Sequence, residues 1–191
     1  NLNNRVQVMT TEGDFVKTWG KEGNQPGDLD KPWGIKIIQE RVLVADWRND
    51  RIQIFDKDGN FLDKFGESGN KEGELSRPSD VTQDENGFYY VCDWGNQKIQ
   101  IFDDKFEYCG FLRGESTLSE WAKEYIDANL DEKKARESFV PVIPIDDVEP
   151  HEESARIESY FWDPTSVVID NKQNLLILDS NRNRIQVYKL N

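Results

Sequence analysis

The sequence predicts an all-β fold assembled from repeated four-stranded antiparallel units, with one small helical insertion. Three observations carry this reading. A polar turn flanked by apolar alternation, Val44–Asp56, returns as Val91–Asp103 and again over residues 177–188. The copies are evenly spaced: Pro32 to Pro78 is 46 residues and Asp46 to Asp93 is 47, whereas Pro78 to Pro164 and Asp93 to Asp179 are each 86. Within each copy the apolar residues alternate, as in Ile52-Gln53-Ile54, which is the period of a half-buried strand. A repeat of this length with only short strands points to the blades of a β-propeller. The longer step is one period plus an insertion of about 40 residues.

In chain order, residues 1–30 supply the second half of a blade. Val6 and Val8 alternate in one strand, Glu12-Gly13-Asp14 turns, and Phe15–Trp19 forms the next. The Asp expected five residues before Arg5 would precede residue 1, so the chain begins inside a turn and reads as part of a larger propeller. Residues 31–76 form a complete blade, with strands near Gly34–Ile38, Arg41–Ala45, Arg51–Phe55 and Phe61–Phe65 and an Asp58-Gly59 turn between the last two. Residues 77–114 repeat it near Asp80–Gln83, Phe88–Cys92, Lys98–Phe102 and Glu107–Leu112, with an Asn86-Gly87 turn.

Residues 115–161 break the pattern. Leu118, Trp121, Ala122, Tyr125, Ile126 and Leu130 fall at helical spacing, predicting an amphipathic helix capped by Ser116 or Ser119. A charged helical piece over Asp131–Glu137 follows. Pro141 and Pro144 keep residues 139–145 extended, and residues 146–153 read as an acidic loop. The insertion carries 13 acidic and 5 basic residues. Residues 162–191 then supply three strands of a further blade, near Ser166–Ile169, Leu175–Leu178 and Arg184–Lys189.

At this point the residues resemble the NHL-repeat family of β-propellers. The resemblance rests on Pro32-x-Gly34-Ile35, on the motif running from Val44 and Asp46 through Asn49 and Arg51 to Ile54, and on Gly59-x-Phe61-Leu62-x-x-Phe65-Gly66. It covers the chain outside the insertion and implies a portion of a six-bladed ring. The remaining blades are expected from the rest of the chain or from another chain. The fourth unit departs from the pattern: Arg182 stands where Asn is expected, and Pro-x-Gly becomes Pro164-Thr165-Ser166.

Several chemistries can be weighed. The repeated Asp46, Asp93 and Asp179 invite a calcium reading, but Asp in a turn accepts backbone N–H groups, and the Asn three residues on suits a left-handed reversal. The basic residue five positions on is expected to pair with an acidic neighbour on the next blade. The single histidine, His151, lies in a polar stretch and is expected to be solvated; a zinc site takes several imidazoles, or Cys with His. No Gly-x-Ser-x-Gly elbow is present. The segments 20–27 and 66–73 are glycine-rich but carry carboxylates, so they read as blade-to-blade loops and not phosphate cradles. Cys92 and Cys109 fall two strands apart, too far to bridge, and read as half-buried thiols.

The net charge of −13 makes nucleic acid an unfavourable partner, and no apolar run spans a membrane. Alternation of strands places the glycine-rich loops, the insertion, Trp33, Trp47-Arg48 and Trp94 on one face, where binding is expected. The sequence therefore predicts a non-enzymatic scaffold binding a protein, peptide or small ligand, with cationic partners favoured and no cofactor. The candidate residues are Trp33, Trp47, Arg48, Trp94 and Arg182. The alternative is a lyase- or lactonase-type enzyme with Ca²⁺ or another divalent cation held by channel carboxylates, for which Asp80 and Asp163 are the candidates. RNA binding through the same Trp and Arg residues is the lesser alternative.

Overall fold

The computed structural model describes residues 3–118, 120–139 and 148–190. The first half-blade is a hairpin of β1 (Val6–Met9) and β2 (Phe15–Trp19). A four-stranded meander follows, β3 (Ile35–Ile38), β4 (Arg41–Asp46), β5 (Arg51–Asp56) and β6 (Phe61–Phe65), all paired antiparallel in sequence order. Two short strands, β7 (Glu67–Ser68) and β8 (Glu74–Leu75), pair in parallel within the second glycine-rich loop, a detail the sequence did not predict. The next meander is β9 (Pro78–Gln83), β10 (Tyr89–Asp93), β11 (Lys98–Phe102) and β12 (Tyr108–Leu112). After the insertion come β13 (Pro164–Ile169), β14 (Asn174–Asp179) and β15 (Arg184–Lys189), a three-stranded sheet.

The core lies between sheets. Residues 42–46 of β4 are buried on both of its faces, and successive residues serve opposite neighbours, as the pleat requires. Val42 and Val44 pack with Leu29 and Phe55 toward the half-blade. Leu43 and Ala45 pack with Val81, Tyr89 and Val91 of the following sheet. A third cluster joins Tyr90, Cys92 and Ile99 to Phe161, Val167, Leu175 and Ile177. Each fully buried side chain of this size contributes about 1.5–3 kcal/mol. Leu29, Leu75 and Phe161, all fully buried, occupy equivalent places at the end of each inter-blade connection.

Gly34 shows how closely the first strands approach. A Cβ there would lie 2.5 Å from the Ser79 carbonyl oxygen and 2.8 Å from the Asp80 Cα. Only glycine fits, which accounts for the Pro-x-Gly pattern in this blade.

The insertion differs from the sequence reading in two respects. Its first helix, α1 (Glu120–Ala128), ends at Asn129, and α2 (Leu130–Ser138) continues after that break, as expected. The expected acidic loop instead contains a helix, α3 (Pro150–Arg156), with Pro150 in the first turn and Glu152 and Glu153 placed to meet the positive end of its dipole. Ser116 does not act as a helix cap: its hydroxyl donates to the Glu158 carbonyl and accepts from Arg184. Ser119 and the predicted extended segment from Val140 to Ile145 lie outside the described residues.

Candidate functional site

The site grows out of the repeated turn. After β4, Trp47–Asn49 forms one turn of 3-10 helix, Asp50 takes the left-handed conformation (φ 51°), and β5 begins. Trp94–Asn96 with Gln97 and Ser180–Arg182 with Asn183 do the same. The left-handed residue is therefore the one after the Asn, not the Asn itself. The Asn side chain has a different task. Asn49 Nδ2 donates to the Gly23 carbonyl and to Asp46 Oδ2, each at 2.9 Å; Asn96 Nδ2 donates to the Gly69 carbonyl and to Asp93 Oδ2. It ties the turn to the preceding inter-blade loop.

The repeated aspartates are fully buried and act as acceptors. Asp46 Oδ1 takes the Asp30 N–H, while Oδ2 takes Asn49, Arg51 Nε and Gln53 Nε2. Asp179 receives the Trp162 N–H, Arg184 Nε at 2.7 Å and Gln186 Nε2. The basic residue thus pairs with the aspartate of its own blade, not with one on the next. Its other nitrogens hold the loop: Arg51 donates to the carbonyls of Asn24, Gln25 and Asp28. In the third unit lysine replaces arginine. Asp93 keeps the Ser76 N–H, Asn96 and Gln100, while Lys98 Nζ reaches the Asn70 carbonyl at 3.5 Å. Burial pushes the Asp93 carboxyl up to about 6, opposed by those hydrogen bonds and more weakly by Lys98.

The left-handed residues also join blades. The side chains of Asn4, Asp50 and Gln97 accept the backbone N–H of Lys31, Arg77 and Asp163 at 2.8, 2.7 and 2.7 Å, each the residue before the first-strand proline of the next blade.

Three of the five candidate residues converge. The Trp33 and Trp47 ring centroids are 5.8 Å apart, Trp33 and Trp94 6.5 Å, and Trp47 and Trp94 6.3 Å. Trp33 remains 46% exposed, and Trp47 and Trp94 are half-buried. Arg48 is exposed beside Trp47, and the Arg77 guanidinium, which the sequence reading did not single out, lies over the Trp47 ring at 5.2 Å. The Trp47 indole N–H is enclosed without an acceptor. In the last unit the positions of Trp33 and Trp47 are Thr165 and Ser180, whose hydroxyls bond to each other. Among the described residues the aromatic character belongs to these two blades.

Arg182 has another contact. It stacks on Trp162 at 5.2 Å and donates to the carbonyls of Ser154, Ala155 and Ile157 at the end of α3. It stands where Asn49 and Asn96 stand and does the same work on a larger loop, which gives the departure from Asn a physical reason. Gly95, opposite Arg48 in the repeat, is also structural: a Cβ would meet Ser76 Oγ at 2.3 Å. His151 is half-exposed, but its Nε2 accepts the Trp162 indole N–H at 2.9 Å and lies 3.6 Å from Asp163 Oδ1, so it is not simply solvated. Both cysteines are free: Cys92 is fully buried and Cys109 exposed.

The two channel carboxylates named for a metal have protein partners. Asp80 Oδ2 accepts the Ser166 hydroxyl and the Val167 N–H at 2.7 and 3.0 Å; Asp163 accepts Gln97 Nε2 and Asn181 Nδ2. Among the described residues there is no cluster of three His, Cys, Asp or Glu side chains suited to a metal ion.

Residues 28–113 match the family model described as 6-bladed beta-propeller, and residues 161–188 match the NHL repeat. The chain carries NHL-type β-propeller blades. No curated protein matches it. Among solved structures, these blades are similar to a protein of unknown function from Bacteroides caccae, with 12% identity and a TM-score of 0.50 over 98% of this chain and 54% of that one. They are also similar to virginiamycin B lyase from Staphylococcus aureus (15% identity, TM-score 0.50) and to a catalytically inactive form of it with quinupristin (14%, 0.52), covering 98% of this chain and 49% of each lyase chain. The NHL blades here therefore span about half the length of the structures they match, and the likeness concerns the fold.

Proposed function

We propose that this NHL propeller portion is a non-enzymatic binding scaffold that engages a protein or peptide through its loop face, centred on Trp33, Trp47 and Trp94. The observation that supports it is the convergence of three indoles from two blades, one of them 46% exposed, beside the inter-blade loops. Tryptophan is costly to leave in water and is enriched among residues that dominate binding energy. A rigid sheet carrying long loops is a common support for such a site. The enzyme alternative is the weaker reading, because Asp80 and Asp163 spend their oxygens on hydrogen bonds, three of which couple neighbouring blades while the fourth, from Asn181, holds Asp163 within its own.

The test is affinity capture with the full-length protein and with Trp33→Ala and Trp47→Ala. Each substitution should cut capture of a bound partner about tenfold or more while leaving the melting curve in place. Partners retained undiminished by both variants would defeat the proposal. Trp33, being exposed, gives the cleaner of the two readouts.

A further inference from the structure

The tryptophan cluster carries a charge preference that the composition hides. The chain as a whole is at −13, which at long range favours cationic partners. At the cluster two guanidiniums stand beside the rings, with the Asp50 carboxylate accepting the Arg77 backbone N–H. Arg77 lies over Trp47 at 5.2 Å, and Arg48 follows Trp47 in the same turn. Both are exposed, and among the described residues neither side chain makes a hydrogen bond or ion pair with a carboxylate. Of the other arginines, Arg51, Arg113, Arg136, Arg156 and Arg184 each have a carboxylate partner and Arg182 holds three carbonyls, while Arg5 and Arg41 are exposed without one; what sets Arg77 apart is the Trp47 ring beneath it. A guanidinium resting on an indole keeps its in-plane N–H groups open for a two-pronged bond to a carboxylate. The Arg48 and Arg77 guanidinium donors thus stand beside apolar ring surface.

Resting on the binding reading above, we infer that the loop-face cluster recognises an acidic segment of another protein, in which a carboxylate sits next to an apolar side chain. The carboxylate pairs with Arg77 and Arg48, and the apolar side chain covers Trp33. An open, half-exposed cluster suits an extended segment better than an enclosed small molecule. The surrounding negative charge excludes strongly acidic surfaces at a distance, so only a segment that can place its carboxylate on the two arginines gains from contact.

The test uses two capped pentapeptides, Gly-Leu-Glu-Phe-Gly and the same peptide with Lys for Glu, titrated calorimetrically into full-length protein at about 0.15 M salt, where charges beyond about 8 Å are largely screened. The acidic probe should bind about tenfold more tightly than the basic one. Arg77→Gln and Arg48→Gln should each weaken it several-fold with melting little changed, because neither side chain makes a hydrogen bond or ion pair within the fold and Arg77 gives up only its exposed contact with the Trp47 ring. The double reversal R48E/R77E should invert the preference. Binding of the basic probe as tight as the acidic one, acidic-probe binding indifferent to both arginine changes, or no binding of either probe would overturn the inference. Failure here with partner capture still lost in Trp33→Ala would leave the loop-face reading intact, whereas capture undiminished by the tryptophan variants would remove that reading itself.

Discussion

Lys98→Arg should stabilise the protein more at neutral pH than in acid. The structure supplies the reason. Asp46 and Asp179 each receive an arginine Nε, at 2.8 and 2.7 Å, whereas Asp93 faces a lysine whose ammonium points to the Asn70 carbonyl. Burial holds the Asp93 carboxyl at about 6, against 3.8 for the ordinary group. About two pH units correspond to about 3 kcal/mol. Because the folded value is raised, this contribution is fully present below about 4 and is lost as pH rises through about 6, so Asp93 weakens the fold at pH 7. Burial also lowers the Lys98 ammonium, so neither partner is comfortable as an ion. An arginine would find the Asn70 and Glu74 carbonyls where the equivalent loop carbonyls of Asn24 and Asp28 hold Arg51. After the cost of burying the guanidinium, a gain of about 1–3 kcal/mol is expected at pH 7.5. Urea unfolding of both proteins between pH 4.5 and 7.5 measures it, and the difference between them cancels the other carboxylates. An equal gain at both ends of that range, or none at pH 7.5, would refute the reasoning.

Three further outcomes are expected. Gly34→Ala should cost about 1–3 kcal/mol or more in thermal unfolding, because its Cβ meets backbone of the next blade 2.5 Å away and backbone cannot swing aside. Arg182→Ala should speed amide hydrogen exchange across α3 while leaving β4 and β5 protected, since it frees three carbonyls on the insertion and none in the sheet. A thiol reagent should label one cysteine quickly, Cys109, and leave Cys92 untouched, because burial both shields that thiol and pushes its pKa up.

Most of the fold was readable because a repeat tests itself. A strand seen once in Arg51–Phe55 is weak evidence; seen again at Lys98–Phe102 and Arg184–Lys189 it fixes the register of the whole unit. The tryptophans were readable as a group because strand alternation assigns loops to faces. What escaped depended on partners distant in sequence. Arg51 was expected to reach an acid on the next blade, but its own Asp46 is across the hairpin, and only the register of β4 on β5 shows this. Arg77 looked ordinary because the ring it covers lies 30 positions earlier. The α3 helix had a signal in Pro150 followed by Glu152 and Glu153, but with seven residues it shows no hydrophobic period. Arg182 looked like a binding residue because its departure from Asn made it distinctive; the departure serves a longer loop.

The clasp between blades has a consequence for how this chain tolerates added sequence. Its acceptor is a side chain of one blade and its donor a backbone N–H of the next, so it is formed across space and is indifferent to the length of the connection. The bond from Asp50 to Arg77 spans 27 residues, and that from Gln97 to Asp163 spans 66, yet both measure 2.7 Å. Lengthening a connection costs only slowly growing loop entropy, about 0.6 kcal/mol for each doubling. An inter-blade loop is therefore a site where a helical segment can be acquired at the cost of about one hydrogen bond, without disturbing the blades it joins.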